Sequence, residues 1–202
     1  MQPFTRVAGV AIPFGRADVD TDLIIPSRFM KTVGRAGLGA GAFDALRQDA
    51  DNLFDQPRHR HAPILIAGAN FGCGSSREHA VWALLDLGVR VVVAPSFADI
   101  FAGNAGKNGM LTIALSQDQV DDLMGQAKEH LVSIDLQAQT LSTPITVWSF
   151  DIDPFRKHCL LGGVDEIALT EARAAEIEAY RRAILASHPW RLATGPGALA
   201  DV

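Results

Sequence analysis

Cysteine is scarce in this chain: Cys73 and Cys159 are the only two in 202 residues. Two thiols cannot supply the usual ligand set of an iron–sulfur cluster, and with no CxxC pair they do not read as structural zinc ligands. Two reduced thiols in a cytosolic chain is the simpler case, with a disulfide left open. Positive charge is also short, 18 Lys and Arg against 23 Asp and Glu for a net −5, which argues against a general nucleic-acid binder needing a basic face. No apolar stretch approaches the roughly 20 residues that span a bilayer. Met1 to Arg6 lacks the charged-then-apolar pattern of a secretory signal, so a cytoplasmic location is expected. What is present, 48% hydrophobic and 20% charged residues, is ordinary for a soluble domain with one substantial core.

Residues 6–13 have the composition of a strand and run into Gly15-Arg16-Ala17-Asp18-Val19-Asp20-Thr21-Asp22. Acids at 18, 20 and 22 would share one face of an extended segment. They also begin like a calcium loop, but Leu23-Ile24-Ile25-Pro26 replaces the glycine and later ligands. Surface acids and turn caps are the plain alternative. Gly34, Gly37, Gly39 and Gly41 follow within eight residues, which reads as a mobile glycine-rich loop at about 30–42. With Arg28, Lys31 and Arg35 in or before it, such a loop can close over an anionic ligand; it can equally be a linker with incidental charges. Phe43 and Leu46 mark a short helix with Arg47 near its end. His59 and His61 alternate and read as a solvated approach to a strand rather than as metal ligands.

Residues 63–67 are a buried strand candidate. A helix is expected from about Ser76 to Leu87, with Ser75 and Glu78 in capping-box spacing and Gly88 as its stop. The apolar run 89–94 reads as a central strand, closing a βαβ unit whose crossover should be right-handed. Further expectations are a helical turn at 97–100, a polar turn at 104–109, a strand at 110–115 and a helix from 116 to about 130. Strands at 131–136 and 145–150 should pair, followed by a short helix at 155–161 and a last one from about Thr170. The fold class is therefore α/β with a mixed, partly parallel sheet. One domain is expected over 1–185, with a partly disordered tail at 186–202.

The richest segment is Asn70-Phe71-Gly72-Cys73-Gly74-Ser75-Ser76-Arg77-Glu78-His79. Two glycines sharpen a turn, and two hydroxyls and a guanidinium sit at its crest before an apolar helical run. Backbone N–H groups at a helix start, together with Arg77, suit a small carboxylate. The segment lacks the G-x-x-x-x-G-K-[ST] phosphate loop and the G-x-G-x-x-G fingerprint. It also departs from the G-x-S-x-G nucleophile elbow, because Arg77 replaces the second glycine. Ser75 can be read simply as a helix cap. An arginine in a first helical turn opposes the macrodipole by ~0.3–1 kcal/mol unless it meets an anion, which favours a functional reading of Arg77. No other set of groups able to do difficult chemistry is visible, so the turn reads as half of an active site.

These residues resemble the small-subunit family of bacterial 3-isopropylmalate dehydratase, in the aconitase superfamily. The resemblance rests on the 70–80 segment, on Val19-Asp20-Thr21-Asp22-Leu23-Ile24-Ile25-Pro26, and on Ala94-Pro95-Ser96-Phe97-Ala98-Asp99-Ile100-Phe101 with Lys107-Asn108-Gly109. Phe155-Arg156-Lys157-His158-Cys159 and Asp165-Glu166-Ile167-Ala168-Leu169-Thr170 echo its carboxy-terminal pattern. It implies a swivelling β/β/α domain like the aconitase carboxy-terminal domain. It also implies a hydro-lyase of leucine biosynthesis, active only with a large subunit that carries a [4Fe–4S] cluster, no cofactor being bound by this chain. The reaction implied is interconversion of 2-isopropylmalate and 3-isopropylmalate by dehydration and rehydration through isopropylmaleate. By the same resemblance Ser75 is the base, Ser76 and Arg77 hold a substrate carboxylate, and Asp22 orients active-site groups. Thr21 joins the substrate-binding set, Leu38 meets the isopropyl group and Arg35 the distal carboxylate. Ala69, Gly106 and Gly162 depart from the family pattern, and the 51–56 region is shorter than in some relatives. A related dehydratase of citraconate/methylmalate or dimethylmalate, or a non-catalytic anion-binding assembly module, stays open, as does a homo-oligomer of the isolated chain; neither nucleic acid nor membrane is expected as a partner.

Overall fold

The apolar segment at 6–13 is broken at Val10 into two strands that serve different sheets, β1 (Arg6–Gly9) and β2 (Ala11–Pro13). The computed structural model describes residues 1–30, 34–188 and 190; Lys31 and most of the tail expected at 186–202 lie outside them. The chain continues through α1 (Thr21–Ile24), α2 (Asp44–Arg47), β3 (Ile64–Ile66), α3 (His79–Leu87), β4 (Val91–Ala94), α4 (Asp99–Lys107) and β5 (Leu111–Ala114). Then come α5 (Gln117–Ala127), β6 (Val132–Asp135), β7 (Thr140–Ser142), β8 (Val147–Ser149), α6 (Pro154–Gly162), α7 (Glu166–Glu171) and α8 (Ala174–Ser187).

Strands β2-β3-β4-β5 form an all-parallel sheet, in chain order. Both of its faces are covered, which is why β3 and β4 are apolar at every position. Side chains still alternate. Ile12, Leu65 and Val92 point to a core shared with α1, α3 and α4. Ile64, Ile66, Val91 and Val93 point to a second core shared with α5 and the other sheet. That second sheet, β1-β6-β7-β8, is antiparallel throughout. Helices, parallel sheet and antiparallel sheet thus stack as three layers, the β/β/α arrangement. The parallel and antiparallel pairings occupy two sheets rather than one.

Several local expectations are corrected. Strands at 131–136 and 145–150 do not pair with each other, because β7 lies between them. The polar turn expected at 104–109 is mostly helix: α4 runs on to Lys107, and Gly109 makes the turn at φ +82°. The capping box forms at Ser116 and Gln119, ahead of α5, rather than at Ser75 and Glu78. His59 is buried, with Nδ1 2.8 Å from the Leu53 carbonyl oxygen, rather than solvated.

Two compact units are distinguished, Met1–Asp165 and Glu166–Val202. The boundary falls upstream of residue 185. The first unit holds both sheets, and the second holds α7 and α8, none of whose residues is buried.

Candidate active site

Because β2, β3 and β4 are parallel, their carboxyl ends open on one edge of the sheet, the edge where ligands bind in open α/β folds. The loops that leave those ends, at 14–20, 67–78 and 95–98, stay paired beyond the strands. Gly72 N–H donates to the Val19 carbonyl at 2.8 Å, and Thr21 N–H donates to the Cys73 carbonyl at 3.0 Å. On the other side Phe71 N–H donates to the Ser96 carbonyl at 3.1 Å, and Ala98 N–H to the Phe71 carbonyl at 3.0 Å. The 70–77 turn is therefore held on both flanks by backbone.

Two residues of these loops take left-handed backbone without being glycine, Asp18 at φ 51° and Asn70 at φ 58°. Asp and Asn tolerate that region best among side-chain-bearing residues. Here they face each other, Asn70 Nδ2 donating to Asp18 Oδ1 at 2.8 Å. Asn70 N–H also donates to Ser96 Oγ at 2.8 Å, which ties all three loops together. Gly72 has no substitute: at φ +80°, a Cβ would lie 2.2 Å from Cγ of Phe101. That ring packs edge-on against Phe71, 5.2 Å between centroids.

On this platform Ser75 is exposed and Thr21 is buried beneath it. Thr21 Oγ1 lies 2.9 Å from Ser75 Oγ and 3.2 Å from the Ser75 carbonyl oxygen. Asp20 caps α1 by accepting from Leu23 N–H at 2.7 Å, which fixes the turn that carries Thr21 and Asp22. Asp22 in turn accepts a hydrogen bond from Arg77 Nη1 in an ion pair whose arginine side chain is 27% exposed. The acids at 18, 20 and 22 do not share an extended face: one bonds Asn70, one caps a helix and one pairs Arg77.

The helix behind the turn starts at His79 with no side-chain cap, so Ser75 is not a capping residue and Arg77 precedes the helix. Glu78 instead accepts from Asn108 Nδ2 at 2.7 Å, and Asn108 Oδ1 accepts from Trp82 Nε1 at 2.9 Å. Cys73, two residues before Ser75, has its thiol pKa pushed up by burial and by the Asp20 and Asp18 carboxylates.

Thr21, Asp22, Ser75, Ser76 and Arg77 come together on adjoining segments, whereas Arg35 and Leu38 stand elsewhere. The Arg35 guanidinium lies over the Trp82 ring, 4.8 Å from its centroid, beside a cavity of about 340 Å³ also lined by Leu85 and Asn108. Leu38 is only 3% exposed, within the helix-side core. Sequence reasoning missed the Asn70–Asp18–Ser96 brace and the Glu78–Asn108–Trp82 chain. The only signal for the first was an asparagine directly before a glycine-rich turn.

The aconitase C-terminal domain model matches residues 1–118. The chain is 58% identical over 201 residues to the 3-isopropylmalate dehydratase small subunit of Novosphingobium aromaticivorans, covering 99% of each. It is 50% identical over 191 residues to the small subunit of Zymomonas mobilis, covering 94% of this chain and 100% of that one. The chain belongs to the 3-isopropylmalate dehydratase small-subunit family. A crystal structure of 3-isopropylmalate dehydratase from Methanocaldococcus jannaschii superposes with a TM-score of 0.68 at 27% identity, over 86% of this chain and 99% of that one. Within this small-subunit family fold, a Cβ at Gly106 would meet Cδ and Nε of Arg156 at 3.3 Å. Among the described residues no three His, Cys, Asp or Glu side chains are grouped to hold a metal, and no helix is long and apolar enough to cross a membrane.

Proposed function

We propose that this small subunit contributes the proton-handling half of an isopropylmalate isomerase, with Ser75 exchanging the proton alpha to a substrate carboxylate. The reaction is the interconversion of 2-isopropylmalate and 3-isopropylmalate by loss and return of water, in leucine biosynthesis, and it takes place in the cytoplasm. The [4Fe–4S] cluster belongs to the large subunit, where it supplies the Lewis acid for the departing hydroxyl. This chain's described residues offer no seat for it.

The observation that carries the reading is the hydroxyl pair. Thr21 has one proton and two acceptors in reach, the Ser75 carbonyl and Ser75 Oγ. While Ser75 is a neutral alcohol, it donates to Thr21 Oγ1 and Thr21 donates to the carbonyl. When Ser75 gives its proton to the substrate α-carbon on rehydration, Thr21 turns its hydrogen to the alkoxide left behind, so a buried, preformed donor meets the new charge until the alkoxide takes the proton back on dehydration. Arg77 presents a guanidinium beside the same turn. Its fork already holds a carboxylate, that of Asp22, and a substrate carboxylate can take the remaining N–H donors along with the Ser76 hydroxyl. Arg35 reaches the distal carboxylate once it leaves the Trp82 face, and Leu38 reaches an alkyl group only if its turn opens.

The test is reconstitution with the large subunit and turnover of a panel of alkyl-substituted malates. Ser75→Ala should abolish turnover while the complex still assembles. Persisting activity in that variant would end the assignment of the base. Turnover of methyl-substituted malates alone would end the assignment of substrate.

A further inference from the structure

Asn108 ends α4 as its C-cap, and its carboxamide reaches across to the start of α3. Nδ2 donates to Glu78 Oε1 at 2.7 Å and to the Asn104 carbonyl at 2.9 Å, while Oδ1 accepts from Trp82 Nε1 at 2.9 Å. An indole N–H can only donate and a carboxylate only accept, so an amide in this one orientation serves both. Glu78 is the N-cap of α3 and Trp82 lies four residues on, one turn further along the same face. Asn108 therefore grips the entry to the helix at two points a turn apart. All three residues are half-buried.

Helix α4 meets the active-site turn at both of its ends. Phe101 packs edge-on against Phe71, 5.2 Å between centroids, and its ring bars any Cβ at Gly72. Seven residues later, about 10 Å along a helix at ~1.5 Å per residue, Asn108 holds Glu78. Between these anchors runs the crest from Cys73 to Arg77. No side chain caps α3, and Arg77 N–H donates to the Ser75 carbonyl at 2.8 Å. Any shift at Glu78 thus passes to Ser75 through one residue and one hydrogen bond.

We propose that Asn108 is a positioning residue for Ser75. It fixes the exit of the crest against α4, as Phe101 fixes its entry, without itself touching substrate. The proposal rests on the reading of Ser75 as the base and adds the anchor that holds it at its working distance. Asn108 and Trp82 both border the cavity of about 340 Å³, so water can replace a truncated side chain and the fold need not collapse.

The experiment uses the full chain assembled with its large subunit. Asn108→Asp sets a carboxylate against that of Glu78 and should lower kcat about tenfold, with KM within about threefold because Asp22 still aims Arg77. Glu78→Gln, whose amide oxygen still accepts from Asn108, should cost about threefold or less. The double variant exchanges amide and carboxylate, so the new amide donates to the new carboxylate, and most of the loss in Asn108→Asp should return. With substrate deuterated at the carbon that gives up its proton, the isotope effect on kcat should grow in Asn108→Asp and fall back in the double variant. A lower kcat with an unchanged isotope effect means fewer active molecules rather than a misplaced base, and overturns the proposal; so does a double variant no better than Asn108→Asp. The indole N–H resonance of Trp82, assigned with Trp82→Phe, separates this failure from failure of the Ser75 reading. It should shift in Asn108→Ala even if Ser75 proves not to be the base, and an unmoved resonance removes the anchor whatever the kinetics.

Discussion

Thr21 Oγ1 stands 2.9 Å from Ser75 Oγ, a buried hydroxyl directly under an exposed one. The two residues are 54 apart in sequence and meet because the loops after β2 and β3 continue their parallel pairing past the strand ends. If Thr21 supplies the hydrogen bond that an ionised Ser75 needs, Thr21→Val should lower kcat about 10- to 100-fold and leave KM nearly unchanged, the cost of one lost preorganised donor. Thr21→Ser should recover most of the loss. Steady-state kinetics of the assembled enzyme decide this, and an equal rise in KM would point to a substrate contact instead.

Asp22 pairs with Arg77 and so aims its guanidinium. Asp22→Asn should raise KM about 3- to 10-fold with a smaller change in kcat, since the arginine keeps its charge but loses its bearing. Arg77→Lys should do more harm, because an ammonium cannot present two parallel donors to a carboxylate. Comparable kinetics for Arg77→Lys and wild type would show that only charge matters at this position.

The position of Gly72 carries a stability prediction. Gly72→Ala places a methyl against the Phe101 ring in backbone that L-residues avoid, a cost of about 2–4 kcal/mol from overpacking and left-handed strain together. Denaturant unfolding of the isolated chain measures it. Gly34→Ala, with open space around it, is the control and should lie within about 0.5 kcal/mol of wild type.

Acid should weaken the Arg47–Asp55 pair only at the low end of the carboxylate range. The Asp55 carboxyl is held below its ordinary range chiefly by its hydrogen bond from Arg47. Its folded-state pKa lies under its unfolded one, so the contribution is present above the ordinary carboxylate value and fades as pH falls through the depressed one. Stability measured downward from neutral pH should therefore lose this increment at the acid end, and Arg47→Ala should flatten that part of the curve. Since the Asp55 side chain is 45% exposed, salt should shrink the effect.

Much of the architecture is legible because it rests on local rules. The apolar runs at 64–66 and 91–94 announce strands covered on both faces. Gly88 stops α3 in left-handed backbone, accepting no side chain where one would strain. Other features depend on what packs nearby. The 6–13 segment looks continuous, yet Val10 is where the chain passes from one sheet to the other, a choice that composition does not encode. Ser75 and Glu78 have capping-box spacing, but Thr21 and Asn108 offer their side chains better partners, and α3 begins at His79 instead. His59 looks like a solvated residue until the Leu53 carbonyl gives its ring nitrogen a buried partner.

Patterns of residues along the chain determined by themselves the α/β class, the glycine turn with its serines and arginine, and a cysteine count of two that cannot supply the usual ligands of an iron–sulfur cluster. These follow from turn chemistry, hydrophobic period and ligand count, which act over a few neighbouring residues. Tertiary structure alone decided that Thr21 lies beneath Ser75, that Asp22 rather than a helix end meets Arg77, and that Gly39 N–H is held by Asp86 of α3. Each of those joins segments far apart in sequence, and only the parallel register of β2, β3 and β4 brings their loops to one edge.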